Sequence, residues 1–129
     1  MSGSIVALDH AFLTIPQGAE DEARRFYGQL LRLDEMSRPE GLRDSEGVWF
    51  RAGAQELHLG SDAAHVAPRR PHPGFRVRNV DDLDDLASRL AADGFAVEWD
   101  ERIEGRKRFY TRDPFGNRIE VLTERETSA

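Results

Sequence analysis

The sequence predicts an α+β fold built from two βαβββ modules. Their eight strands would make a curled mixed sheet, an open cup, with one helix per module on its outer face. Three observations carry this expectation. First, the chain repeats itself: His10-Ala11-Phe12-Leu13-Thr14-Ile15 is matched by His72-Pro73-Gly74-Phe75-Arg76-Val77, and Leu57-His58-Leu59 by Ile119-Glu120-Val121, both at an offset of 62 residues. Second, a helical stripe follows the first segment of each copy. Ala23, Phe26, Tyr27, Leu30 and Leu31 form one, and Leu83, Leu86, Ala87, Leu90 and Ala91 the other. This i, i+3, i+4, i+7, i+8 spacing is that of a helix lying on a sheet. Third, the extended segments alternate between aliphatic and ionisable residues, the pattern of strands with two unlike faces.

The elements follow in order. Module one, residues 5–60, is expected to hold strands at 5–15, 32–36, 48–52 and 55–59, with a helix over about 19–31. Residues 61–71 are polar with two prolines and read as a connection. Module two, residues 72–123, would carry strands at 72–78, 95–99, 108–112 and 117–122, with a helix over 81–92. Asp81 suits the helix N-cap, and Gly94 stands where a C-terminal stop belongs. Asp113-Pro114-Phe115-Gly116 has the residue order of a type I turn and should close a hairpin between the last two strands. The tail, 124–129, is expected to fray. The 129 residues would therefore form one domain of two half-domains.

Composition narrows the function. With 39% hydrophobic and 33% charged residues, the chain should fold as a soluble globule. Its formal charge of −6 argues against a nucleic-acid partner, which requires a basic face. No apolar run is long enough to span a membrane and no signal peptide opens the chain, so a cytoplasmic location is expected. Cysteine is absent, which excludes disulfides, thiolate nucleophiles and thiolate-held metals. Any metal must be held by His and carboxylate.

Strand alternation sorts the ionisable residues. Leu13 and Ile15 share the face that must cover the first helix, so His10, Phe12 and Thr14 lie opposite. His72 and Arg76 lie opposite Phe75 and Val77 in the same way. In the last strand of each copy, Glu56 and His58 oppose Leu57 and Leu59, while Arg118 and Glu120 oppose Ile119 and Val121. The expected inner faces thus collect three of the four histidines and Glu120 at equivalent positions of a repeat. Two imidazoles plus a carboxylate are a common set for Zn, Ni, Mn or Fe as divalent ions. The competing reading is a metal-free pocket in which Arg76 or Arg118 neutralises the glutamates. Arg108 and Arg76 could clamp a carboxylate or phosphate of a substrate; equally, Arg106, Lys107 and Arg108 could be a solvated strand end. Trp49 and Tyr110 suit packing, or contact with a substrate to which Tyr110 donates a hydrogen bond. His65 falls in the connection and reads as solvated.

These residues resemble the vicinal oxygen chelate superfamily, which includes glyoxalase I, bleomycin-resistance proteins, extradiol dioxygenases and fosfomycin-resistance thiol transferases. The resemblance runs through Leu8-Asp9-His10, Phe26-Tyr27, Glu56-Leu57-His58-Leu59, His72 to Val77 and Asp113-Pro114-Phe115-Gly116-Asn117-Arg118-Ile119-Glu120. It implies paired βαβββ modules with metal ligands on the first and last strand of each, matching His10, His58, His72 and Glu120. It also leaves Glu56 as an alternative to His58 at the fourth position. The activity implied is that of a glyoxalase-like, metal-dependent lyase or isomerase of a small oxygenated metabolite. The metal would act as a Lewis acid toward an enediolate or oxyanion, and Glu56 or a displaced Glu120 would serve as general base. Arg76, Arg108, Arg118 and Trp49 would contact substrate. Two alternatives follow from the same resemblance: a metal-free protein that sequesters a ligand, as bleomycin-resistance members do, and a thiol transferase acting on an epoxide antibiotic. A homodimer is expected, because a single cup has open edges.

Overall fold

A computed structural model describes residues 3–42 and 46–125. The strands and helices come in the expected order: β1 (His10–Ile15), α1 (Glu20–Ala23), a π-helical continuation (Arg24–Leu30), β2 (Asp34–Met36), a 3₁₀ turn (Glu40–Leu42), β3 (Gly47–Ala52), β4 (Gln55–Ser61), β5 (Gly74–Arg76), α2 (Val80–Ala92), β6 (Glu98–Asp100), β7 (Arg108–Arg112) and β8 (Arg118–Leu122). The chain divides into two compact units, Met1–His65 and Val66–Ala129. Each holds one four-stranded mixed sheet, in the orders β1-β4-β3-β2 and β5-β8-β7-β6. The topology is the same twice: the first strand of each unit runs parallel to the last, and the other pairs are antiparallel.

The helical stripes form the cores. In the first unit Ala23, Phe26, Tyr27 and Leu31 are buried together with Ile15, Val48, Phe50, Leu57 and Leu59. In the second, Leu83, Leu86, Ala87 and Leu90 are buried with Phe109, Ile119 and Val121, whereas Ala91 is exposed. The first helix is less regular than its stripe suggests. The Leu31 amide donates to the Phe26 carbonyl five residues back, at 2.9 Å, so the last turns are widened. The chain then leaves the helix through Arg32 at a φ of 61°.

Several boundaries differ from expectation for local reasons. β1 begins at His10 rather than residue 5, because its ladder partner β4 begins at Gln55 and its register opens with His10 opposite Glu56. Ile5, Val6 and Leu8 are consequently exposed. β5 starts only at Gly74, because Pro71 and Pro73 lack the amide a ladder needs, and it ends at Arg76. The N-cap of α2 is Asn79, not Asp81: the Asn79 side chain accepts from the Asp82 amide at 2.8 Å. Gly94, at a φ of 90°, follows α2 as expected. At the β7–β8 hairpin the Gly116 amide donates to the Asp113 carbonyl at 3.1 Å. Asp113 also accepts from the amides of Phe115 and Asn117 and from the Asn117 side chain.

Candidate functional site

Ladder register decides which inner residues are equivalent. Phe12, His58 and Trp49 lie side by side across β1, β4 and β3. Gly74, Glu120 and Tyr110 lie side by side across β5, β8 and β7. His58 therefore occupies in the first sheet the position that Glu120 occupies in the second, and Trp49 stands where Tyr110 does.

In the first unit the donors are wrapped in aromatic contact. His58, only 7% exposed, stacks against Trp49 with ring centroids 3.4 Å apart and planes 6° from parallel. His10 stacks on His58 at 4.2 Å. The ring of Phe12 lies over Gly60, where a Cβ would collide with it. His58 Nε2 is 2.9 Å from Glu56 Oε1 and donates to it when the carboxylate is ionised. His10 Nδ1 is 2.9 Å from Asp9 Oδ2. A carboxylate takes the Nδ1 proton, so Nε2 is the lone-pair nitrogen of neutral His10. His65, expected to be solvated, is half-buried instead, with Nδ1 2.7 Å from Thr14 Oγ1.

The second unit builds a charge network. His72 Nε2 is 2.9 Å from Glu120 Oε1. His72 Nδ1 is 2.7 Å from the Arg70 carbonyl, and a carbonyl can only accept, so Nδ1 carries a proton. The remaining nitrogen of a neutral His72 would then point a lone pair at an ionised carboxylate, a repulsive contact. A cation must resolve it: a proton on either group, or a metal ion. Glu120 Oε2 in turn accepts from Arg108 Nη1 at 3.2 Å. The competing reading named Arg76 or Arg118 as the counter-charge; the structure supplies Arg108. Arg76 lies 3.9 Å from Glu124, and the Arg118 guanidinium covers the Tyr110 ring at 4.0 Å.

Arg108 is 8% exposed and its guanidinium is almost fully engaged. Nη1 also donates to the Tyr110 hydroxyl at 2.8 Å and Nη2 to Asp100 Oδ1 at 3.1 Å; Nε has no partner among the described residues. Burial alone would lower the Arg108 pKa, but the Glu120 hydrogen bond and the charges around it raise it further. Asp100 is held well below the usual carboxylate range, chiefly by the Arg102 side chain and backbone amide. Tyr110 accepts from Arg108, packs edge-on against His72 at 5.3 Å, and keeps its own hydroxyl proton for another acceptor.

Sequence reasoning missed Asp100, Asp9 and the Arg70 carbonyl. Asp100 fell one residue beyond the strand expected at 95–99, although its register opposite Arg108 marks it as an inner residue. Asp9 had a signal in its position beside His10. The Arg70 carbonyl had none, since main-chain acceptors leave no trace in residue identity.

A profile of the Glyoxalase/Bleomycin resistance protein/Dioxygenase superfamily matches residues 7–121. The chain belongs to this superfamily. A glyoxalase family protein from Bacillus anthracis is similar over 96% of this chain and 99% of its own, at 37% identity and a TM-score of 0.88. A lactoylglutathione lyase from Agrobacterium tumefaciens is similar at 25% identity and a TM-score of 0.74, covering 95% of this chain and 97% of its own. The fosfomycin resistance protein FosX from Listeria monocytogenes shares the fold, with a TM-score of 0.75 at 16% identity over 93% of this chain and 94% of its own. Comparison with curated proteins gave no match.

Members of the superfamily commonly use divalent metals, and the donors here suit one. Imidazole nitrogen and carboxylate oxygen are the ligand types for Zn, Ni, Mn and Fe. His72 and His10 each have Nδ1 tied to an oxygen acceptor, the outer hydrogen bond that metal-ligating histidines usually make. Among the described residues no three such side chains already stand together; within each unit the donors pair off, His58 with Glu56 and His72 with Glu120.

Proposed function

We propose that this superfamily member is a glyoxalase-like, metal-dependent lyase or isomerase acting on a small oxygenated metabolite. The observation that supports the proposal is the donor pair at His72: its Nε2 lies 2.9 Å from Glu120, and its Nδ1 is tied to the Arg70 carbonyl, the outer hydrogen bond that metal-ligating histidines usually make. His10, His58, His72 and Glu120 would hold a divalent ion. When bound, the ion would supply Lewis acidity that stabilises negative charge developing on substrate oxygen.

The chain's own groups then have distinct tasks. Glu56 accepts the Nε2 proton of His58, which places it to remove a proton from a carbon acid as general base; Glu120, if displaced from its partners, is the other candidate. The Tyr110 hydroxyl can donate to a substrate oxygen while Arg108 holds it in place. Arg76, whose side chain is 63% exposed, suits a substrate carboxylate or phosphate better than Arg108, whose donors are engaged. Arg118 acts through the Tyr110 ring, and Trp49 fixes the plane of His58. We further propose a homodimer, a cytoplasmic location and no membrane role; no helix among the described residues is long and apolar enough to cross a bilayer.

A second reading has a specific observation behind it. The Glu120–Arg108 pair neutralises the carboxylate without a metal, as a ligand-sequestering member would require. One experiment separates the two. Protein purified without a histidine tag is analysed for metal, then titrated with Zn(II), Ni(II) and Mn(II) while thermal unfolding is followed, with lactoylglutathione as the first substrate tested. Bound metal, a thermal shift and turnover support the enzyme; metal-free protein that no ion stabilises sinks it.

A further inference from the structure

We infer that Arg118 is an oxyanion-binding residue, and that the substrate carries a carboxylate or phosphate group besides the oxygens a metal ion would hold. Arg118 opens β8 on the same side of the second sheet as Tyr110 and Glu120. Its guanidinium lies over the Tyr110 ring at 4.0 Å. That contact uses only the flat face of the group, and the N–H donors in its plane stay free. Arg118 is half-buried, yet it forms no hydrogen bond or ion pair with any described residue. A charge drawn partly out of water calls for a counter-charge.

The surroundings supply none. In the β7–β8 register Arg118 stands directly opposite Arg112, and like charges in that relation repel. Arg112 spends its fork on main-chain carbonyls: Nη1 donates to Gly116 at 2.8 Å and to Pro68 at 3.1 Å, and Nη2 to Arg69 at 3.2 Å. It keeps its charge while its donors are engaged. The carboxylates nearest along the chain are committed elsewhere. Asp113 accepts from the amides of Phe115 and Asn117 and from the Asn117 side chain, and Glu120 is held between His72 and Arg108. Arg76, by contrast, has Glu124 at 3.9 Å. Free coplanar donors beside a second positive charge suit two oxygens of one carboxylate or phosphate. Tyr110 also packs against His72 at 5.3 Å, so a small molecule held by Arg118 can reach the His72–Glu120 pair. As a statement about substrate this rests on the function proposed above; the anion site does not.

The test uses chelated full-length protein at low ionic strength. Inorganic phosphate and then acetate are titrated while the Arg118 and Tyr110 side-chain signals are followed by NMR, with a matched sodium chloride series to account for ionic strength. The wild type should bind at least one of the two anions saturably. R118Q should weaken that binding about 10–100-fold, the usual worth of hydrogen bonds to a charged group. R118K keeps the charge without the fork and should fall between them. R78Q removes an equal charge from a side chain that is 91% exposed and paired with Asp82, and should bind as the wild type does. Neither anion binding to the wild type, or R118Q binding as tightly as the wild type, overturns the assignment; should R118Q fail to fold, undiminished binding by R118K does the same. Anion binding that is lost in R118Q, in a protein that takes up no metal, leaves the site standing and sinks the metal-dependent enzyme. Metal binding without any anion binding does the reverse.

Discussion

Replacing Glu120 with glutamine separates metal binding from folding. In the metal-free protein one Glu120 oxygen faces His72 Nε2 and the other accepts from Arg108. A glutamine amide can serve both: its NH₂ donates to the His72 lone pair and its oxygen accepts from the guanidinium, while Arg108 keeps Asp100. Metal-free E120Q should therefore unfold within a few degrees of the wild type. Metal binding should behave differently, because the anionic ligand is gone. For 129 residues, an unfolding entropy of about 2.1 cal/mol/K per residue sums to about 0.27 kcal/mol/K, so 1 kcal/mol corresponds to roughly 4 °C. Metal at about 100 times its Kd stabilises the wild type by about 2.7 kcal/mol, a rise of roughly 10 °C. If the substitution weakens binding about 100-fold, the same metal concentration sits near the Kd and contributes about 0.4 kcal/mol, under roughly 2 °C. Thermal unfolding of chelated protein, with and without added Zn(II) or Ni(II), measures both quantities. A shift of full size in E120Q would show that Glu120 is no ligand; collapse of metal-free E120Q would refute the reasoning about its hydrogen bonds.

Other outcomes follow from single contacts. Gly47 has a φ of 142° and its missing Cβ would collide with the Leu59 carbonyl oxygen, so G47A should lose more than about 1 kcal/mol in urea unfolding. Thr111 is buried with its hydroxyl unpartnered among the described residues; T111V should gain about 1 kcal/mol, and a loss would point to a hidden partner of that hydroxyl. Asp100 has a folded-state pKa below its ordinary value of 3.8. Its contribution is therefore fully present at neutral pH and fades only as pH falls below about 4. Acid titration of stability should show D100N weaker than wild type at pH 7, with the gap closing below pH 4. A gap that stays constant would remove Asp100 from the acid response.

The fold was legible because its signals were periodic. Two helical stripes 60 residues apart, and first and last strands 62 apart, suffice to order eight strands, and β7 was located to the residue. What failed was local. The extended look of Ile5, Val6 and Leu8 says nothing about whether a partner strand reaches that far, and β4 does not. The cap of α2 went to Asn79 rather than Asp81 because α2 starts one residue earlier, at Val80. The widened turns after Ala23 left the apolar stripe readable, since Phe26 and Tyr27 are buried in a π-helical turn as they would be in an α-helical one.

The candidate site was legible as a set of residues on one face, but not as a set of partners. Alternation placed His58, Tyr110, Arg108 and Glu120 on the inner sides of their strands; only register shows which of them touch. Register also explains how one repeat came to hold its donors in two ways. The cross-strand neighbour of His58 is Trp49, and that of Glu120 is Tyr110. An imidazole beside an indole gains most by lying flat on it, and the planes are nearly parallel. A carboxylate gains nothing from an aromatic face and needs a positive group instead. Arg108 serves both residues of that pair, donating from Nη1 to the Glu120 carboxylate and to the Tyr110 hydroxyl. Exchanging the fourth-strand residue between histidine and glutamate thus changes what its neighbour must be, and Trp49 and Tyr110 are the two solutions within a single chain.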